Sequence, residues 1–218
     1  MYVPREYRED ATETLHGLIA AHSFGMLITT SDDGPLVSHL PFLLESAGGE
    51  HGTLLGHVAR ANPHARVLDG SLESRRALVV FSGPHAYVSP NDYASGPAVP
   101  TWNYVAVHAR GTLRRLDGAA LGSLLDALTD RHEASLAPPW STAALPREYR
   151  AKLENAIVGF DLVIERLEGK LKLGQNRSVE DRAKAASALR ARGEIAVSRA
   201  MEATLQVAAP LPGSTLRR

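Results

Sequence analysis

The residues best suited to hold an anion lie in GHVARANPH, Gly56 to His64. A run with strand character ends there in small residues around Arg60 and passes into Asn62–Pro63, a cap with proline at the first helical position. Backbone N–H groups at a helix start and a guanidinium fork both favour a multiply charged oxyanion such as phosphate. Ala59 and Ala61 are small enough to let an anion approach the backbone. The segment fits equally an ordinary strand-to-helix turn with Arg60 in solvent.

Five of the 12 aromatic residues, Phe81, Tyr87, Tyr93, Trp102 and Tyr104, fall between positions 81 and 104. Such a stretch can wall a flat heteroaromatic ring, with Ser89, Asn91 and Asn103 giving oriented polar contacts. Phe81 and Tyr87 read more simply as core, whereas Trp102, after a proline-rich loop, reads as a rim residue. In SHLPF, Ser38 to Phe42, Pro41 stands inside a strand, a placement tolerated at an edge or a bulge. An open edge can read the polar rim of a ring, and its proline can equally guard against aggregation. KLKLGQNR, Lys170 to Arg177, offers a further place for an anionic or polar group, although a solvated charge run is the simpler reading.

Other chemistries lack their parts. Cysteine is absent, which removes disulfides, thiolate metal sites and cysteine nucleophiles and suits reducing cytosol. The nine histidines do not fall into HExxH spacing, so no metal is expected. No GxSxG, Walker or GxGxxG sequence occurs. His39, His57 and His108 could each move a proton, but a lone strand histidine is more often a packing residue, and no catalytic residue is assigned. The 24 basic residues balance 24 acidic ones, so no global field draws the chain to nucleic acid or an anionic membrane. The start, MYVPREYRED, carries charges where a secretory signal would be apolar, and no stretch reaches the roughly 20 apolar residues that span a bilayer. A cytoplasmic protein is expected.

These residues need elements to position them. Periodicity predicts a helix from about Asp10 to His22 capped by Asp10 or Thr12, then a hairpin over Phe24 to Leu44 turning at SDDG. A strand follows from Thr53 to Val58, then a brief helix after Asn62–Pro63. Ala77 and Ala86 begin two further strands, and Trp102 begins a long one broken at Gly111. A helix covers Gly118 to Leu136, a short one follows Pro146, and a strand from Ile157 bends at Gly169. Ser178 and Asp181 imitate a capping box, Gly193 ends that helix, and a last helix runs from Glu194 to about Leu205. The pattern is α+β and mainly β, an antiparallel split barrel of six to seven strands with peripheral helices and a helical C-terminal segment. Residues 1–207 are expected to form one domain, and 208–218 a flexible tail.

MYVPREY, SFGMLITT, SHLPF, GHVARANPH, GPHAYVSPNDY, VPTWNYVAVHARG and IVGFDLVIERLEGKLKLGQNRS resemble, in this order and over nearly the whole chain, the PaiB-like family of FMN-binding negative transcriptional regulators. The resemblance implies an FMN-binding split barrel of the pyridoxamine-phosphate-oxidase-like group, assembled as a homodimer with the cofactor at or near the subunit interface. It makes Arg60 and Asn62, with the backbone of His57, Val58, Ala59, Arg60 and Ala61, the candidate phosphate cradle. Ser38, His39 and Leu40 become candidate contacts to the flavin ring. Trp102, Asn103, Tyr104, Lys172, Gln175 and Asn176 are expected to complete the pocket. Gly174 stands where many relatives are expected to carry serine.

The resemblance implies a flavin-binding regulator whose surface is read by DNA or by a regulatory protein. The alternative is an FMN-dependent oxidoreductase acting on a small molecule, which needs the same cofactor residues. A haem-holding or cofactor-free dimeric module ranks last, because no axial ligand pair stands out. The most basic helical segment, with Arg182, Lys184, Arg190 and Arg192, also contains Glu180 and Asp181, so a solvated amphipathic helix explains it as well as DNA binding does.

Overall fold

The computed structural model describes residues 1–31, 33–70 and 75–207. The tail expected at 208–218, and Asp32 in the SDDG turn, lie outside the described residues. The chain divides into two compact units, one of Asp10–Ser82 and Val107–Glu168, the other of Met1–Glu9, Gly83–Ala106 and the described residues from Gly169 on.

The elements in chain order are β1 (Arg8–Glu9), α1 (Thr12–Ala21), β2 (Phe24–Ser31), β3 (Gly34–Pro41), β4 (Leu43–Glu45), β5 (Thr53–Ala59) and α2 (His64–Leu68). They continue with β6 (Arg76–Val88), β7 (Thr101–Arg115), α3 (Gly118–Glu133), α4 (Arg147–Asn155), β8 (Ile157–Lys172), α5 (Val179–Ala191) and α6 (Ile195–Val207). Among the described residues the strands number eight, with β1 pairing β8, and the remaining path runs β3-β2-β6-β7-β8-β5-β4. That path has two unjoined ends, which makes the barrel a split one. Two breaks read from the sequence are absent: β6 runs on through Gly83 and Pro84, and β7 through Gly111; β8 runs from Ile157 to Lys172 as one strand, as expected.

In the larger unit, strand alternation sends Leu27, Phe81, Val107, Leu113, Phe160 and Leu162 into one core. Phe42 anchors it, edge-on to Phe81 at 5.5 Å and to Phe160 at 6.1 Å between ring centroids, a geometry that adds to simple burial. Gly111 is required where β7 passes β8, because a Cβ there would lie 2.0 Å from the Val163 carbonyl oxygen. The opposite face of β2, β3 and β6 is apolar as well. Met26 faces His39 and Val80, and Ile28 faces Val37 and Leu78. Phe24 (66% exposed) and Val37 (51%) have no cover among the described residues. α1 begins at Thr12 behind Ala11 and has no side-chain cap, against the expectation for Asp10 or Thr12.

In the smaller unit α5 grips the loop after β6. Ser178 Oγ accepts from Asp181 N, as a capping box requires. The Asp181 carboxylate does not return to the cap: it accepts from Ala94 N and Ser95 N, both at 2.9 Å, and from Ser95 Oγ at 2.7 Å. Arg192 Nη1 and Nη2 each donate to Asp92 at 2.8 Å, and Asp92 also accepts from Ser89 N. Lys184 Nζ donates to the Tyr93 carbonyl, and Arg177 lies over the Tyr93 ring, 4.6 Å from its centroid. Gly174 has φ +86°, a left-handed turn that glycine adopts without a Cβ penalty, which accounts for glycine where serine was expected.

Candidate functional site

The larger unit joins Ser38, on β3, to the start of α2. Asn62 Nδ2 donates to Ser38 Oγ at 3.0 Å, and Ser38 Oγ lies 2.9 Å from His64 Nδ1. Asn62 Oδ1 accepts from His64 N at 2.9 Å, the side-chain turn that asparagine favours two residues ahead of its partner. Ser38 Oγ accepts from Asn62 and has its hydrogen for either His64 Nδ1 or Asn62 Oδ1, 3.4 Å away, so the three side chains form one hydrogen-bonded group. His64 is only 1% exposed, and Nε2 has no hydrogen-bond partner among the described residues. Burial holds its pKa below the usual 6.5, so the imidazole is neutral near pH 7.

β3 pairs with β2 alone, so its other edge is open among the described residues. His39 is exposed and stacks on Phe24, with 6.4 Å between ring centroids, whereas Leu40 packs against the core. On β5, alternation buries Val58 in the core and turns His57 to the opposite face. His57 Nδ1 is a second buried ring nitrogen without a partner among the described residues, and burial lowers that pKa too.

Arg60 departs from the phosphate-cradle picture. Its Nε donates to the Asn155 carbonyl at 2.8 Å and its Nη2 to the Ile157 carbonyl at 3.2 Å, beside the end of α4. Two hydrogens on Nη1 and one on Nη2 remain as donors. α2 has five residues, and its first N–H already serves Asn62, so the helix start offers less to an anion than the sequence suggested. Ala59 and Ala61 are exposed on either side of Arg60.

In the smaller unit Lys172 Nζ donates to Thr101 Oγ1 and, at 2.8 Å, to the Trp102 carbonyl. Burial, and then the Lys170 charge, lower the Lys172 pKa. Trp102 is 54% exposed, as expected of a rim residue. Tyr87 corrects its core assignment: it is 48% exposed and meets Trp102 edge-on at 6.1 Å, with His85 at 6.4 Å from the same ring. Asn103 turns inward, 1% exposed, donating through Nδ2 to Met201 Sδ at 3.3 Å and leaving Oδ1 without a partner among the described residues. The Tyr104 ring lies 5.3 Å from Lys170 Nζ. Gln175 is occupied by its own turn, accepting from Leu173 N and donating to the Leu171 carbonyl, while Asn176 is exposed.

Ser38 and Asn62 are thus brought together, as are Trp102 and Lys172. Sequence reasoning missed His64, His85 and Tyr87 as neighbours of these groups. The spacing Asn62–Pro63–His64 held the signal for His64, since an asparagine side chain commonly takes the N–H two residues on.

The fold thus offers an open strand path with a part-buried polar cluster at a free edge. Residues 1–166 match the family model described as "Putative FMN-binding domain". The chain belongs to this family, and its cofactor is FMN. It is 33% identical over 183 residues to "Protease synthase and sporulation protein PAI 2" of Bacillus subtilis, covering 83% of this chain and 85% of that protein. An uncharacterized protein of Emericella nidulans is 34% identical over 220 residues, covering 84% and 87% of the two chains. Among solved structures, the FAD and heme binding protein of Mycobacterium smegmatis aligns with TM-score 0.59 at 21% identity, covering 77% of this chain and 74% of that one. The flavocytochrome Anf3 of Azotobacter vinelandii gives TM-score 0.58 at 18% identity, covering 79% and 73%. These two likenesses concern the fold.

Proposed function

We propose that the chain is an FMN-holding regulator that works as a homodimer in the cytosol, with residues 1–207 acting as one domain. The observation that carries the site is the Ser38–Asn62–His64 cluster at the open edge of β3. FMN is a flat ring system with carbonyl acceptors and a terminal phosphate, and the residues present fit it. A buried His64 Nε2 without a partner among the described residues and a free strand edge suit the ring. Ser38, His39, Leu40 and Asn62 would hold that ring, and the remaining donors of Arg60 the phosphate. Trp102, Tyr104 and Lys172, with Asn103, Gln175 and Asn176, are the candidate flavin contacts of the smaller unit. When bound, FMN supplies one- and two-electron redox chemistry and a visible chromophore. The protein groups hold and orient it.

The homodimer is supported by the uncovered apolar face of β2, β3 and β6, since exposed contiguous apolar surface marks interaction sites. The regulatory reading rests on the resemblance set out above and on the name of the Bacillus subtilis relative, "Protease synthase and sporulation protein PAI 2". A protein partner suits it better than direct reading of DNA by α5. The four cations of that helix serve the fold: Arg182 bonds Thr204, Lys184 the Tyr93 carbonyl, Arg190 Glu202, and Arg192 Asp92.

The freshly purified protein should carry a flavin spectrum or acquire one on adding FMN, and it should stay inactive with reduced nicotinamides and a broad panel of acceptors. Steady turnover of such a pair would replace the regulator with an oxidoreductase. Binding to a DNA fragment with a steep salt dependence would overturn the choice of a protein partner.

A further inference from the structure

We propose that the groove between α3 and the sheet surface of β4, β5 and β8 is a second small-molecule site, one that takes a compact apolar ligand bearing a protonated amine. The groove has a volume of about 560 Å³ and is lined from five elements of the larger unit. That is several times the ~150 Å³ that admits benzene and lies within the usual span of ligand pockets.

Its shape follows from α3. Leu121, Leu124 and Leu128 seat the helix as one buried ridge, while the neighbouring positions Ala120, Ser123 and Ala127 carry too little volume to fill the space beside it. Leu43, Leu55 and Leu124 make apolar walls for a ligand body. The charges select its head group. Arg114 and Asp161 form a two-bond pair, Nε to Oδ1 at 2.8 Å and Nη2 to Oδ2 at 3.3 Å, and so cancel. Glu45, on the same face of β4 as Leu43 and exposed at the rim of the groove, has no ion-pair partner among the described residues. The lining therefore carries one uncompensated negative charge. A carboxylate ligand would face the uncompensated charge of Glu45, whereas an ammonium group meets that carboxylate at the rim of an apolar wall. The groove shares no residue with the Ser38–Asn62–His64 cluster, so the inference stands apart from the assignment of the flavin.

The test is calorimetric titration of the full-length, FMN-loaded chain with phenethylamine and tryptamine, with phenethyl alcohol and hydrocinnamate as the neutral and anionic counterparts of the first. At least one amine should bind saturably at one site per chain, and the alcohol and the acid should bind at least about tenfold more weakly, the factor expected for losing one charge-assisted hydrogen bond. Glu45→Gln should weaken the amine by a similar factor, and Ala127→Trp, which fills the groove, should abolish its binding. Unchanged FMN stoichiometry in each variant certifies the fold, and Ser123→Leu replaces Ala127→Trp if the tryptophan prevents folding. Absence of saturable binding by both amines, equal binding of the alcohol or acid, or full amine binding to the filled groove would overturn the proposal.

Discussion

Ser38 and Asn62 stand 24 positions apart in the chain and 3.0 Å apart in the fold, and His64 closes the group from the first residue of α2. The fold prefers neutral His64, so as pH falls through about 6.5 the unfolded chain takes up the proton first. This contribution is complete well above pH 6.5 and is lost progressively as the pH falls below it. His57 and His108, also lowered by burial, add to the same slope. Urea unfolding across this window should show a falling midpoint in the native chain and a shallower fall in His64→Gln; identical slopes would exclude His64 as a contributor. For Arg60 the useful comparison is FMN against riboflavin, which lacks the phosphate. Arg60→Ala should weaken FMN by roughly 1 to 3 kcal/mol, the range for a charge-assisted contact, and leave riboflavin unaffected. Equal effects on both ligands would remove Arg60 from the phosphate. Its side chain illustrates what the sequence could not reveal. Arg60 is near its predicted partners in the chain, but the carbonyls it meets belong to residues more than ninety positions later.

At the scale of elements, periodicity located most helices and strands, because burial imposes a period that residue types repeat. It failed where a glycine could mean either an end or a close approach. Gly111 was read as a break, whereas β7 continues through it and the missing Cβ lets Val163 come near. Gly111→Ala should therefore destabilise by about 3 kcal/mol, the upper range for overpacking, measured by urea unfolding; a loss below about 0.5 kcal/mol would show that β7 and β8 part easily there. The Ser178–Asp181 spacing predicted a reciprocal cap, and only its serine half forms, because the loop at Ala94 and Ser95 offers the carboxylate three donors. Those bonds hold the Asp181 pKa below the usual carboxylate range. Asp181→Asn should accordingly loosen the loop at Ala94–Ser95, read as faster hydrogen exchange of those two amides, while unchanged exchange would deny the clasp.

For the whole molecule, the split barrel and its family were legible from uncommon strings recurring in order, and the eight-stranded path bears that out. What the sequence concealed was the apolar outer face, since Phe24, Val37 and Leu78 come from three strands and only pairing sets them side by side. Replacing Phe24 and Val37 together with lysine should convert the proposed homodimer into a monomer in sedimentation equilibrium, because unpaired charges would then face each other across the interface. A variant that sediments like the native chain would place the assembly elsewhere.

The central claim is that this chain holds FMN at the Ser38–Asn62–His64 edge, and fluorescence titration of the flavin-free protein with FMN tests it most directly when run beside the Asn62→Ala variant. The account predicts saturable quenching at one flavin per native chain, and markedly weaker binding in a variant that remains folded by circular dichroism. Native-like FMN binding by Asn62→Ala, or no saturable binding by the native chain, would contradict it.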